Sequence, residues 1–169
     1  STEGSSQCIR AMMYLALLHA RTRGVKRPKI AAGRNAHKTF LSAVALLDLD
    51  VTWLVPANAE SYLSCAVTAE DVARCVETAH PDALYLTSPD YYGVTANIKE
   101  IADTVHKHGA ILMVDNAHGA YLNFLENMNQ GSKSKDDFYT ASLNEQYEVI
   151  KRKIGSNVNF QEFLSYAFP

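Results

Sequence analysis

Two histidine-containing triplets, Asn35-Ala36-His37 and Asn116-Ala117-His118, each follow an apolar run of the chain. An imidazole at the end of a strand could stack on a ring, relay protons or bind a metal ion, although a lone histidine also serves structural roles. Asp115 directly precedes the second triplet. A partly desolvated carboxylate there could hold a protonated ring nitrogen, a metal or a histidine, or it could cap the following turn. The other histidines suit helix ends, so we predict no metal site.

A third candidate group lies near the start of the chain, where Gly4-Ser5-Ser6-Gln7 precedes a helical segment. The start of a helix offers free backbone N–H groups and a partial positive charge, and serine hydroxyls add further donors. This combination predicts a phosphate-binding site. The alternative is that a serine simply caps the helix.

Helical and strand patterns alternate between these groups. Thr68 and Asp71 have the spacing of a capping box, and Gly109 suits a helix C-terminus. The apolar and β-branched segments predict strands. We expect helices over residues 7–20, 36–47, 68–79 and 98–108, and strands over residues 29–32, 51–55, 83–87 and 110–114.

The predicted strands are too uniformly apolar to have a face in water. Such strands are typical of a parallel sheet that is covered by helices on both sides. We therefore predict an α/β fold, a three-layer sandwich with a mostly parallel sheet. Sites in such sheets lie beyond the carboxyl ends of the strands, here at residues 34–37, 56–58, 88–92 and 115–118.

The pattern changes after about residue 125. Residues 127–137 are polar, and two amphipathic helices are expected over residues 142–153 and 160–168. The alternation of strands and helices is not expected to resume. We therefore divide the chain into a domain of residues 1–125 and a helical tail of residues 126–169. Because the helical signal at residue 5 has no strand before it, we expect the chain to begin inside a domain.

The composition excludes several classes of protein. The 169 residues are 47% hydrophobic and 20% charged, with a formal net charge of −2, which gives no basic footprint for nucleic acid. No apolar run approaches the roughly 18 residues of a membrane span. Three cysteines without CxxC spacing, Cys8, Cys65 and Cys75, indicate small buried or half-buried thiols and a reduced, cytoplasmic compartment.

Five stretches together resemble one family. They are TEGSSQ, RNAHKTF, TSPDYYGV, IADTVHKHG and VDNAHGAYL, and they occur here in the order and spacing of the pyridoxal-phosphate (PLP)-dependent Orn/Lys/Arg decarboxylases. The likeness runs from residue 1 to about residue 125. It implies part of the large, PLP-binding domain of an aspartate aminotransferase-like, fold type I lyase that decarboxylates a basic amino acid.

The resemblance also implies roles for single residues. Ser5 and Ser6, between Gly4 and Gln7, would hold the phosphate of PLP. His37 would stack over the pyridine ring, and Asp115 would pair with the protonated ring nitrogen. Ser88 and His118 would line the ring edge or the substrate side, with Tyr91 and Tyr92 on the same wall.

The chain departs from the family in one respect. The family's Schiff-base lysine follows the VD-x-AHGA strand within a Ser-x-His-Lys-Thr pattern, whereas residues 127–149 contain Lys133 and Lys135 without a preceding histidine. Lys38 imitates the pattern but precedes Asp115. We therefore expect non-covalent PLP binding and no activity from this chain alone. The substrate would be a small amino acid, and a homo-oligomer is expected because family active sites form at subunit interfaces.

Two alternatives remain open. The chain could be another fold type I PLP enzyme, such as an aminotransferase or a tRNA-linked cysteine or selenocysteine synthase, although the RNAHK and AHGA motifs favour a decarboxylase. It could also be a non-catalytic binding or oligomerisation module. The helical spacing of four apolar residues in the tail would suit that role, namely Leu143, Tyr147, Ile150 and Ile154.

Overall fold

The computed structural model of the chain describes residues 4–57, 65–119 and 138–139. The predicted elements are confirmed within about two residues at each end. The helices are α1 (Ser5–Thr22), α2 (Lys38–Leu47), α3 (Ala69–Ala79) and α4 (Ile98–Lys107). The strands are β1 (Lys29–Gly33), β2 (Asp50–Leu54), β3 (Ala83–Thr87), β4 (Ile111–Asp115) and β5 (Phe138–Tyr139).

The five strands form one sheet in the order β2-β1-β3-β4-β5, and every neighbouring pair is parallel. β2 lies on one side of β1, whereas β3, β4 and β5 follow one another on the other side. The strand order therefore reverses between β1 and β3. In open parallel sheets, ligands bind beyond the carboxyl ends of the strands at this kind of switch point.

The reversal also decides which helices cover each face of the sheet. Connections between parallel strands are almost always right-handed, so connections that run in opposite directions place their helices on opposite faces. Accordingly, α1 and α2 pack together on one face, whereas α3 and α4 pack on the other. The predicted three-layer α/β sandwich is confirmed. In the described segments, no helix combines the length and apolar composition needed to cross a bilayer.

Alternate residues of each strand enter two separate cores. Tyr85 and Met113 belong to the core under α1 and α2, whereas Leu84 and Leu112 belong to the core under α3 and α4. This alternation follows from the two-residue period of a strand. Continued along β4, it places the side chain of Asp115 on the face that α1 and α2 cover.

The prediction that β2 is a buried strand was wrong. Among the described strands, β2 lies at the edge of the sheet and pairs only with β1, and Leu54 is its one buried residue. Trp53 is 41% exposed and meets Phe40 edge-on, with ring centroids 6.0 Å apart. Apolar composition alone does not distinguish an edge strand from a central one, because strand order is set by the whole topology.

β5 was not expected, because the sequence indicated that strands would not resume after residue 125. Phe138 and Tyr139 pair in parallel with Met113 and Val114 of β4. The helices predicted over residues 142–153 and 160–168 lie outside the described residues, as does the last residue of the loop at 56–58.

Asp82 ties several elements together at the amino edge of the sheet. Its carboxylate accepts a hydrogen bond from the Arg23 guanidinium and another from the backbone N–H of Lys29, each at 3.0 Å. Arg23 also donates to the carbonyl of Gly109 at 3.0 Å, and the backbone N–H of Ile111 donates to the carbonyl of Asp82. One residue therefore joins the end of α1 to the first residues of β1 and β4.

The predicted capping box of α3 is present. Thr68 accepts from the backbone N–H of Asp71, and the Asp71 carboxylate accepts from the backbone N–H of Thr68. The same carboxylate accepts from the backbone N–H of Ala57 at 3.0 Å and pairs with Arg74. Burial raises the pKa of Asp71, but these hydrogen bonds outweigh burial, so the pKa lies below its ordinary value of 3.8.

Replacing Asp71 by Asn should lower the free energy of unfolding at pH 7 by about 1–2 kcal/mol, because the capping carboxylate is lost. A lowered pKa means that the charged form contributes stability above the unfolded pKa, and that this contribution is lost as the pH falls through the folded pKa. The difference between the two proteins should therefore shrink from pH 7 to pH 3 in urea unfolding. Glu77→Gln, at an exposed position on α3, is the control. A difference that does not depend on pH would contradict this account.

Candidate functional site

A crevice lies at the carboxyl edge of the sheet, where the strand order reverses. Asn35, which follows β1, and Thr87, at the end of β3, line it together with Asp90 and residues 94–96. Two of the four predicted strand-end segments, 34–37 and 88–92, therefore contribute to one crevice. Ser6, His37 and Asp115 are not among the residues that line this crevice, so the crevice does not by itself define a ligand site.

The start of α1 has no side-chain cap from its N-cap residue. That residue is Gly4, with φ 122° and ψ 176°, a backbone conformation that strains any residue with a side chain. The alternative in which a serine caps the helix is therefore not observed. Ser5 is exposed and Ser6 is half-buried, both in the first turn. An 18-residue helix with an uncapped start and two hydroxyls in its first turn suits a bound anion.

Thr39 connects the first turn of α1 to His37. Its hydroxyl donates to Ser6 Oγ at 3.1 Å, and its backbone N–H donates to His37 Nδ1 at 3.2 Å. His37 is the N-cap residue of α2, and its ring takes the place of the usual cap oxygen. Because Nδ1 accepts a hydrogen bond, any proton of the neutral ring lies on Nε2. The hydrogen bonds of Thr39 therefore link Ser6 and His37, two site residues that were predicted from separate motifs.

Asp115 is buried, with 3% of its surface exposed. Its Oδ2 accepts from the Tyr85 hydroxyl at 3.0 Å, and its Oδ1 accepts from the backbone N–H of Ala117 at 3.2 Å. Asp115 therefore caps the following turn with one oxygen and presents the other on the face of α1 and α2. Within the described part of the chain, no Lys, Arg or His forms an ion pair with it.

Tyr85 is buried beside this carboxylate. Burial raises the pKa of the Tyr85 hydroxyl far above its ordinary value, and the negative charge of Asp115 raises it further. The hydroxyl therefore stays protonated and donates to the carboxylate at every physiological pH. The carboxylate of Asp115, which accepts from two neutral donors, can also accept a hydrogen bond from a cation.

Ser88 is predicted to line the site, and its contacts are with its own loop. It is buried, and its Oγ accepts from the backbone N–H of Ala96 at 3.0 Å, while its own N–H donates to the carbonyl of Asp115 at 3.0 Å. Asp90 organises the same loop by accepting from the backbone N–H groups of Tyr92 and Val94, each at 2.9 Å. Ser88 thus fixes the wall of the crevice against β4.

His118 lies at the edge of the site and contacts Tyr91. The ring centroids are 4.7 Å apart with an interplanar angle of 54°, and both side chains are exposed. Gln7 accepts from Arg10 at 3.4 Å, so its side-chain oxygen is engaged along α1. Lys38 is exposed as the first residue of α2, whereas Lys133 and Lys135 lie outside the described residues.

The predicted site residues thus fall into three contact groups. Ser6 and His37 are joined through Thr39, Asp115 is joined to Tyr85, and His118 is joined to Tyr91. Sequence reasoning missed Thr39 and Tyr85 as members of the site. Tyr85 could have been found from the two-residue period of β3, but only with the pairing of β3 and β4 known. Among residues 4–57 and 65–119, no cluster of His, Cys, Asp and Glu suits a metal ion.

Comparison with known families gives one match that covers most of the chain. The family described as Orn/Lys/Arg decarboxylase, major domain, matches residues 1–148. The match includes every quoted motif and continues beyond residue 125, where the motifs end.

Curated relatives with sequence similarity include two named arginine decarboxylases. The protein from Halalkalibacterium halodurans is 34% identical over 101 residues, which cover 58% of this chain and 20% of that protein. The protein from Bacillus subtilis is 33% identical over 99 residues, which cover 57% and 20%. The chain therefore spans about a fifth of the length of the curated relatives that it matches.

Solved structures with a similar fold include a sphingosine-1-phosphate lyase from Burkholderia pseudomallei. It is 25% identical with a TM-score of 0.60, and the alignment covers 70% of this chain and 26% of that one. Mouse CSAD is 20% identical with a TM-score of 0.56, covering 77% and 31%. The second likeness shows the fold alone.

Replacing Thr39 by Val should lower the free energy of unfolding by about 1 kcal/mol, because the hydrogen bond to Ser6 is lost while the backbone N–H that binds His37 is kept. Urea unfolding of both proteins measures this. Ser42→Ala, at an exposed position of α2, is the control and should stay within about 0.5 kcal/mol of the unaltered chain. If both variants lose the same free energy of unfolding, the hydrogen bond between Thr39 and Ser6 does not stabilise the fold.

Proposed function

The chain belongs to the Orn/Lys/Arg decarboxylase family, and from this premise we propose that its carboxyl-edge site holds PLP for the decarboxylation of a basic amino acid. The observation that carries the proposal is the buried carboxylate of Asp115, which has two neutral donors and no cation in the described part of the chain. A protonated pyridine nitrogen would supply the missing positive charge. Bound PLP supplies an electron sink for the bond that breaks when an amino acid loses CO2.

The uncapped start of α1 supports a place for the phosphate. Phosphate binds well where backbone N–H groups point outward and the helix dipole is positive. Ser5 and Ser6 would add hydroxyl donors, and Gly4 leaves the approach free of a side chain. The link through Thr39 would keep Ser6 and His37 in a fixed relation, so that the phosphate and the ring face are held together.

The remaining residues would hold and orient the ring. Asp115 would keep the ring nitrogen protonated, because an adjacent carboxylate favours the charged form of a base. His37 would cover one face of the ring. Ser88 and His118 would border the site, Ser88 through the loop that it fixes and His118 through its contact with Tyr91.

We further propose that these 169 residues alone bind PLP without a covalent bond and do not turn over substrate. The support is the order of the motifs, since Lys38 precedes Asp115 and is exposed at the start of α2. A small basic amino acid is the proposed substrate class, as in the relatives named arginine decarboxylases. A homo-oligomer in the cytoplasm is proposed with it. The burial of Cys8 and the half-buried Cys65 and Cys75 suit a reducing compartment.

The other reactions of related folds have less support. The solved structures with the same fold include enzymes with different names, so the fold does not select a reaction. The family match selects the decarboxylase branch. In a purely non-catalytic module, the buried carboxylate of Asp115 would have no ligand to hold.

Replacing Asp115 by Asn should weaken PLP binding roughly 10- to 100-fold, because a hydrogen bond between two charged groups is lost. Fluorescence titration of the chain with PLP measures the dissociation constant. Asp103→Asn, which alters an exposed carboxylate on α4, is the matched control and should bind as the unaltered chain does. If neither PLP nor inorganic phosphate binds the unaltered chain or raises its melting temperature, the proposed function is wrong for this chain.

Borohydride treatment of the chain with bound PLP should leave no PLP-modified lysine, because no lysine is expected to reach the ring. Peptide mass mapping after reduction checks this for all lysines, including Lys38, Lys133 and Lys135. Free PLP with an unrelated protein of similar lysine content gives the background level. Stoichiometric modification of one lysine would overturn the non-covalent proposal and would identify the residue responsible.

A further inference from the structure

Tyr85 is the most deeply buried large side chain next to the proposed ring-binding carboxylate. It has no exposed surface, and its ring packs against Phe40 of α2 with centroids 4.6 Å apart and an interplanar angle of 30°. Phe40 itself is fully buried. The ring of Tyr85 is therefore fixed between the sheet and α2, and its hydroxyl has a defined position.

The hydroxyl of Tyr85 is the only side-chain donor to Asp115 in the described part of the chain. The register of the two strands pairs Thr87 with Asp115, so Tyr85 lies two residues earlier on the same face. An ionised carboxylate can only accept hydrogen bonds, so the Tyr85 hydroxyl must be the donor. The two oxygens of Asp115 are thus held by two donors on different elements, which opposes rotation of the carboxylate.

We propose that Tyr85 is a positioning residue that orients the Asp115 carboxylate toward the ring nitrogen of PLP. This inference rests on the proposed function. The rigid packing on Phe40 makes the position of the donor independent of the ligand. The raised pKa of Tyr85 agrees with this role, since the hydroxyl keeps its proton.

The competing account is that Tyr85 only fills the core. The two accounts differ in what they predict for the ring nitrogen. If Tyr85 acts through Asp115, removing its hydroxyl should lower the affinity only for a ligand that has this nitrogen. If Tyr85 only fills the core, the same change should affect the affinities for all ligands of the same shape equally. Tyr85→Phe removes the hydroxyl and keeps the ring that packs on Phe40, so it separates the two accounts.

The experiment compares two probes, PLP and the analogue in which a carbon replaces the pyridine nitrogen. Tyr85→Phe should weaken PLP binding by roughly tenfold and change binding of the carbon analogue by less than about twofold. In the Asp115→Asn background, Tyr85→Phe should cause no further loss of PLP affinity. Tyr14→Phe, which alters another buried tyrosine of the same core, is the matched control. Circular dichroism establishes that each variant is folded.

The outcomes separate the inference from the proposed function. A selective loss for PLP that disappears in the Asp115→Asn background supports the role of Tyr85. If Tyr85→Phe weakens the binding of both probes equally, or of neither, the positioning role of Tyr85 is wrong. The proposed function still stands in that case, provided that the unaltered chain binds PLP. If the unaltered chain binds neither probe, the proposed function fails and the inference fails with it.

Discussion

Five residue pairs hold β3 against β4 in parallel register, from Ala83 beside Ile111 to Thr87 beside Asp115. Because this register is fixed, the two strands end at the same level and their final residues share one edge. It also sets which side chains lie on the face of α1 and α2, and so brings the Tyr85 hydroxyl to Asp115. A shift of one residue would send every side chain of β4 to the opposite face. The position of the carboxylate thus depends on the backbone pairing of two strands.

The helices on that face complete the site for a related reason. α1 and α2 pack together in the core on one face of the sheet, and α2 lies on the connection from β1 to β2. Their starts, at Gly4 and His37, are close enough for Thr39 to link Ser6 and His37. The proposed phosphate site at the start of α1 and the proposed ring-facing residue His37 therefore come from separate motifs, which the sheet topology brings together.

Local features of the fold could be predicted from the sequence, and features that depend on distant pairing could not. The capping box of Thr68 and Asp71 and the strand that ends at Asp115 follow from short-range patterns. The edge position of β2 and the pairing of β5 with β4 depend on strand order, which short-range patterns do not contain. For the site, Ser6, His37 and Asp115 are predicted through the family motifs, and their roles stay predictions. Thr39 lies within the RNAHKTF stretch and Tyr85 lies outside every quoted motif, and the contacts of both residues become visible only in three dimensions.

The hydrogen bonds around Asp82, here called the Asp82 clamp, have a consequence for how the sequence of such a domain can change in evolution. The Asp82 clamp fastens the end of α1 and the first residues of β1 and β4 at the amino edge of the sheet, opposite the crevice. Residues that hold the architecture are thus spatially separated from the residues proposed to contact a ligand. Substitutions in the loops after β1 and β3 can accumulate without loosening this clamp. Selection on chemistry and selection on folding then act on different ends of the same strands, which makes the scaffold evolvable.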